Sequence, residues 1–175
     1  MAPNYTDPEE IFDVVNERDE VIDQLARAEV HRQGLRHRAV HVLIYNSKGE
    51  IFLQKRSALK DTFPERWDSS AAGHLHPGEA YDACALREVH EELGFTLPCV
   101  PERILRIDAC DETGQEFVWV YRCTAEGPFH LNPEEIETGA WFAPAHLTRW
   151  MREKPDDFAP SLVCIWRQLY LRSSV

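Results

Sequence analysis

The sequence contains no apolar run that approaches the ~20 residues a membrane-crossing helix needs, so no membrane partner is expected. Positive charge is scarce: 19 Lys and Arg face 30 Asp and Glu, a formal net charge of −11. Tracking a nucleic-acid backbone takes a basic surface that displaces counterions, so a nucleic-acid polymer is not expected as a partner. A small phosphorylated substrate stays open if metal ions and a few local cations meet its charge. The five cysteines, Cys84, Cys99, Cys110, Cys123 and Cys164, form no C-x-x-C pair, and their odd number leaves at least one unpaired. Reduced thiols fit that pattern better than a disulfide frame or a cysteine zinc site. Residues 1–10 lack the basic-then-apolar plan of a secretory signal, which makes a cytoplasmic location the expectation. No internal repeat, low-complexity segment or linker divides the chain. Its 175 residues, 43% apolar and 28% charged, suffice for one core without staples.

With Pro3 and Pro8 and little to bury, residues 1–10 are expected to be flexible, and residues 11–175 to form a single domain. Residues 11–37 read as an extension, a hairpin through Ile11–Val15 and Val21-Ile22 followed by a short helix from Leu25 to Gly34. Strands are expected at Ala39 to Tyr45, Glu50 to Gln54, from Trp67 toward Gly73, at Phe95 to Leu97, Ile104 to Ala109, Glu116 to Thr124 and Ala140 to Phe142. Ser57 to Glu65 and Pro128 to Thr138 read as loops. Helices are expected over Ala80 to Leu93, Pro144 to Arg152 and Ser161 to Leu171, the second with proline in its first turn.

The most informative stretch is Gly73 to Phe95. Pro77 and Gly78 mark a turn, Glu79 puts negative charge where a helix starts, and Gly94 is placed to end it. Glu88 lies three residues before Glu91 and four before Glu92, so the three carboxylates project toward one region of the helix. Ala83, Leu86, His90 and Leu93 are expected to pack inward on the other side. Crowded carboxylates repel one another unless a cation sits among them, and hard divalent ions such as Mg²⁺ take oxygen ligands. Arg87, four residues before Glu91, is placed to orient a carboxylate. On spacing alone, a solvated acidic face with ordinary ion pairs accounts for the same residues.

The stretch fills every position of G-x5-E-x7-R-E-U-x-E-E-x-G-U, with U a bulky apolar residue. The odds of that by chance in a chain of this size are on the order of one in a million. It resembles the signature of the Nudix family. The resemblance implies an α+β fold, an α/β/α sandwich with a mixed central sheet and a loop-helix-loop motif. It also implies Mg²⁺ or Mn²⁺ as cofactor and a small-molecule diphosphate as substrate, and it is compatible with a homodimer. Carried onto this chain, Glu88, Glu91 and Glu92 would be metal ligands, and Gly73 would offer its carbonyl.

Water attack on a diphosphate also needs a base and cations for the phosphoryl oxygens. Glu91, Glu116, Glu135 and Glu137 are candidate bases, with Glu91 favoured as ligand and base and Glu135 or Glu137 as loop alternatives. Arg38, Lys55 and Arg56 are candidate phosphate contacts, surface solubility being the competing explanation. Trp67, Trp119 and Trp141 are either core or a stacking platform. His31, His37, His41, His74 and His76 raise the question of a second, nitrogen-rich metal site.

A more extended likeness runs from about Val14 to Trp150. The blocks Val15-Asn16-Glu17, His31-Arg32-Gln33-Gly34-Leu35, His37-Arg38-Ala39, Leu53-Gln54-Lys55-Arg56-Ser57 and Trp67-Asp68-Ser69 are similar to isopentenyl-diphosphate isomerase. That likeness places His37, His74 and Glu116 where three of the isomerase's metal ligands would be, with His31 near a fourth. The isomerase's proton-transferring cysteine and glutamate would fall at Ala72 and Gly114, which carry no acid, and Cys84 on the helix cannot replace them. The chain therefore reads as a diphosphate hydrolase on an isomerase-like frame. An isomerase and a non-catalytic diphosphate-binding module are the alternatives.

Overall fold

The computed structural model describes residues 10–171; the expected flexible N-terminus lies outside the described residues except for Glu10. The chain opens with a hairpin, β1 (Ile11–Val15) and β2 (Val21–Ala26), and a short helix, α1 (Arg27–Gln33). Gly34 ends that helix at φ 61°, a left-handed position glycine adopts without a Cβ penalty. β3 (His37–Tyr45) and β4 (Ile51–Arg56) begin the main sheet. β5 (Trp67–Asp68), β6 (Ala71–His74) and α2 (Tyr81–Leu93) follow. β7 (Glu102–Ile107), β8 (Glu116–Thr124), β9 (Ile136–Phe142), α3 (Pro144–Glu153) and α4 (Pro160–Trp166) complete the fold.

The sheet is mixed. β3 runs parallel to β8, and its other pairings, like those of β4 and β7, are antiparallel. Its path is β5-β4-β3-β8-β7, with β6 added on β3 and β9 on β4. β3 divides one edge between two partners: Ile44 and Tyr45 pair with β4, whereas Ala39 to Val42 pair with β6. Ser70 bridges the fork, its Oγ accepting from Ile44 N–H at 2.8 Å and donating to the Phe52 carbonyl at 2.5 Å. The fork matters because the sheet opens there, and the acidic helix packs beside the opening.

Alternation along β3 sends Ala39 and Leu43 to one face and Val40, Val42 and Ile44 to the other. The first face is covered by α3 and α4 through Leu147, Met151, Leu162, Ile165 and Trp166. The second is covered by α2 through Cys84, Ala85, Val89 and Leu93. Helices on both faces make the expected α/β/α sandwich. A third, smaller cluster joins Phe12, Val14 and Val30 of the N-terminal extension.

The structure corrects several local expectations. Phe95 to Leu97 is not a strand; Leu97 is simply buried against α2. The segment from Trp67 to Gly73 is two strands, because Ser69 and Ser70 carry the chain from β4 across the fork to β3. β9 begins at Ile136, inside the expected loop, and the last helix widens to a π turn over Arg167–Leu171. Ala83 and His90, expected inside, are exposed, and the inward face of α2 instead carries Cys84, Ala85, Glu88, Val89, Glu92 and Leu93. No helix among the described residues is long and apolar enough to cross a membrane.

Candidate active site

Two of the three helix glutamates face into the protein. Glu88 and Glu92, one turn apart on α2, are 8% and 5% exposed, while the Glu91 side chain stays half open at 53%. Each buried carboxylate lies against backbone that leaves it room. Gly73, on β6, is where Glu88 rests: a Cβ built there would fall well inside 3.0 Å of the Glu88 carboxyl group. Glu92 Oε2 accepts from Ala72 N–H at 3.0 Å and from Gln54 Nε2 at 2.8 Å.

Arg87 ties the cluster together. Its Nη1 donates to Glu88 Oε1 at 2.7 Å and to Glu91 Oε2 at 3.0 Å. Its Nε and Nη2 grip the two oxygens of Glu79, both at 2.9 Å, and Nη2 also donates to the His74 carbonyl at 2.9 Å. Glu79 therefore acts less as charge at the helix start than as the anchor of this guanidinium, a fork geometry that arginine suits.

Even so, the acidic charge is not neutralised. Burial, then the neighbouring charge of Glu92, pushes Glu88 well above the usual carboxylate range despite Arg87. Burial likewise raises Glu92 to about 7, against the pull of Lys60, Ala72 N–H and Gln54. Two buried carboxylates whose charged forms are disfavoured form a site short of positive charge.

These groups line a cleft of about 750 Å³ at the fork in the sheet. Gly73, Glu88, Glu91, Glu92 and Arg87 form one wall; Arg56, Lys60, Arg27, Asn132 and Glu135 come from elsewhere in the chain. Lys60 is ion-paired with Glu135, so the two loops from Ser57 and before Ile136 meet across the cleft. Ser57 N–H, donating to the Glu135 carbonyl at 2.9 Å, ties them a second time. Arg56 holds Asp68 Oδ2 at 3.1 Å and the Thr62 carbonyl at 3.1 Å.

Not every residue singled out by sequence arrives here. Arg38 is turned away, bonded through Nε to Asp19 Oδ1 at 2.6 Å and packed on the Tyr81 ring. Lys55 pairs with Glu137 at 3.1 Å, and neither lines the cleft. The three tryptophans are also elsewhere: Trp67 packs edge-on to Phe142, Trp141 edge-on to Phe52, and Trp119 lies under Arg103. Lys60, Arg27 and Gln54 were missed. Gln54 left the one usable signal, a polar side chain continuing the apolar run Ile51-Phe52-Leu53.

Beside the acidic wall, ring nitrogens of His31, His37 and His74 lie within 4.8 Å of one another. His74 Nε2 is 2.8 Å from Glu116 Oε1, and burial holds His74 down to about 4, so its ring is neutral. His37 Nδ1 donates to the Leu35 carbonyl at 2.9 Å, and its Nε2 is the ring atom on the Glu116 side. That nitrogen is buried without a hydrogen-bond partner and stands 3.6 Å from Glu116 Oε1. His41 is separate, bonded to Ser69, and His76 lines the acidic cleft.

Comparison with known proteins agrees with this geometry. A NUDIX domain model matches residues 35–162. An uncharacterized Nudix hydrolase of Yersinia pestis is 34% identical over 152 residues, 86% of this chain and 80% of that protein. The crystal structure of DR0079 from Deinococcus radiodurans superposes with a TM-score of 0.82 at 30% identity, covering 92% of this chain and 99% of that one. The MutT protein of Methanosarcina mazei gives a TM-score of 0.54 at 28% identity over 63% of this chain and 79% of its own. With the acidic helix set beside a cleft in an α/β/α sandwich, and with relatives matched over most of their length, this chain belongs to the Nudix hydrolase family.

Proposed function

We propose that this protein hydrolyses the diphosphate linkage of a nucleoside diphosphate-type or related organic diphosphate, with Mg²⁺ or Mn²⁺ and with water attacking phosphorus. The observation that carries the reading is the cleft itself, where Glu88, Glu91 and Glu92 converge opposite Arg56 and Lys60. The donor set fits a hard cation, since it is all oxygen: three carboxylates and the Gly73 carbonyl. A bound cation would neutralise phosphoryl oxygens and acidify the attacking water. The chain's own groups do the rest. Arg56 and Lys60 hold phosphate oxygens, Arg87 orients Glu88 and Glu91, and the water's proton passes to Glu91, with Glu135 as the alternative base. The water oxygen forms the new bond to phosphorus as the bridging P–O bond breaks.

A second cation at His37, His74 and Glu116, joined by His31, belongs to the same proposal. His37 Nε2 is buried with no hydrogen-bond partner 3.6 Å from Glu116 Oε1, so that nitrogen and oxygen donors converge on one point, a set that suits a cation. The isomerase reading keeps this metal set but has no acid and base, because Ala72 and Gly114 cannot move a proton.

Two measurements test the proposal. Glu91→Gln should lower release of phosphate from an accepted diphosphate by about a hundredfold or more, the scale of removing a positioned base or ligand, with folding intact by circular dichroism. Turnover at the wild-type rate would reject it. Added Mn²⁺ should also raise the unfolding temperature little at pH 5 and increasingly up to pH 8. The sign follows from Glu92: its folded value of about 7 lies above the usual 4.5, so below neutrality a proton competes with the cation for that carboxylate. Without the cation the same shift works in the opposite direction, Glu92's own contribution to stability falling as pH rises from 4.5 toward 7. Glu92→Gln should flatten both slopes.

A further inference from the structure

The acidic helix α2 is entered through a tight turn. Glu79 N–H donates to the His76 carbonyl at 2.9 Å, Pro77 takes the second position and Gly78 the third at φ 73°, the features of a type II turn. Such a turn closes through its first carbonyl and its last N–H, so the Gly78 N–H in its middle has to find an acceptor elsewhere. It donates to Asp13 Oδ2, on β1 of the opening hairpin, at 2.8 Å.

Asp13 is 3% exposed, and its other oxygen, Oδ1, accepts from Gln24 Nε2 on β2 at 2.8 Å. Both of these partners are neutral. A carboxylate buried without a cation is costly, so packing within the hairpin alone would be better served by an apolar side chain. What the carboxylate supplies is a strong, directed acceptor for one backbone N–H. A second aspartate of the same hairpin also reaches α2. Asp19 Oδ2 accepts from the hydroxyl of Tyr81, the first helical residue, at 2.9 Å, while Oδ1 accepts from Arg38 Nε at 2.6 Å. Asp19 stands in the hairpin turn at φ 62°, a left-handed position open to aspartate because its short polar side chain bonds locally.

These two contacts reach the carboxylate cluster through one short relay. Glu79, next to Gly78, grips Arg87 with both oxygens, and Arg87 Nη1 in turn holds Glu88 and Glu91. We infer that Asp13 and Asp19 are positioning residues: the hairpin that precedes the NUDIX-matched residues 35–162 fixes the turn, and through it sets where Arg87, Glu88 and Glu91 stand. The inference rests on the diphosphate-hydrolase reading for what those carboxylates do.

The test compares Asp13→Ala, Asp13→Asn and Tyr81→Phe in the full chain. Amide hydrogen exchange of the metal-free protein is read over residues 75–87, and Mn²⁺ affinity by calorimetric titration, following the binding step that Glu88→Gln removes. Asp13→Ala should speed exchange in that segment about tenfold, the scale of one lost hydrogen bond, and leave the β3 and β8 ladder unchanged. It should weaken Mn²⁺ about tenfold, as loss of a partner behind the ligands does. Asp13→Asn keeps a side-chain oxygen for the Gly78 N–H and should return both readings to within about threefold of wild type. Tyr81→Phe, which removes only the Asp19 contact to the helix, should shift both in the same direction, and it decides the matter if Asp13→Ala does not fold. A lower unfolding temperature with exchange over 75–87 and Mn²⁺ affinity unchanged would make these aspartates merely structural and overturn the inference. So would equal losses in Asp13→Ala and Asp13→Asn. Phosphate release is measured separately: the expected exchange pattern in a wild-type protein that hydrolyses no diphosphate would overturn the hydrolase reading and leave the positioning role standing.

Discussion

Replacing Glu88 with glutamine is expected to cost about a thousandfold in turnover and at the same time to raise the unfolding temperature of the metal-free protein. The two effects share one cause. Glu88 is a buried carboxylate whose charge is disfavoured by burial and by Glu92, and Arg87 offsets this only in part. Glutamine has nearly the same shape and carries no charge, so it removes that cost, and Arg87 keeps Glu79, Glu91 and the His74 carbonyl as partners. The same change deletes an anionic oxygen from the proposed cation site. A loss of about 4 kcal/mol in transition-state stabilisation corresponds to that thousandfold. Functional sites commonly trade stability for charge in this way. Thermal unfolding without added metal, together with phosphate release, measures both; a variant both less stable and fully active would contradict the argument.

Gly73→Ala is expected to be nearly as damaging, although it adds one methyl group. The new Cβ would overlap the Glu88 carboxyl group, and because β6 is paired with β3 along Ala39 to Val42, the side chain must yield rather than the strand. Displacing that carboxylate by an ångström or more should weaken cation-dependent turnover about a hundredfold, the penalty for misplaced reacting groups. Gly139→Ala is the natural comparison. Its Cβ would strike the Phe52 ring in the core rather than a carboxylate, so it should lower stability, by about 1–3 kcal/mol as overpacking does. Residual activity of its folded fraction should match wild type. If Gly73→Ala instead behaves like Gly139→Ala, Glu88 has no role at that carbonyl.

The acidic helix could be read in sequence because its signals are local. The Pro77-Gly78 turn, the Gly94 stop and the glutamate spacing all lie within one stretch, and Gly94 does end α2 at φ 57°. Its orientation was not legible. An inward Ala83 and His90 would follow if carboxylates faced only the outer surface, whereas here a cleft opens inside the fold and Glu88 and Glu92 turn toward it. Residues brought by long-range pairing were the hardest to find. β4 carries Gln54 to Glu92 only after pairing with β9, more than eighty positions on, and Lys60 gains its place by meeting Glu135. Arg38 was misplaced for a related reason: nothing local shows that Asp19, in the hairpin turn, has already claimed it.

Phe12 sits almost entirely out of solvent, its ring stacked on His37 at 5.3 Å and tilted against His74 at 4.5 Å. The opening hairpin is thus the roof of the imidazole cluster. A chain trimmed to residue 35, where the NUDIX domain match begins, would lose that ceiling together with His31 and open the His37 ring to solvent. The shortest version of this molecule able to keep these imidazoles dry starts at the first strand.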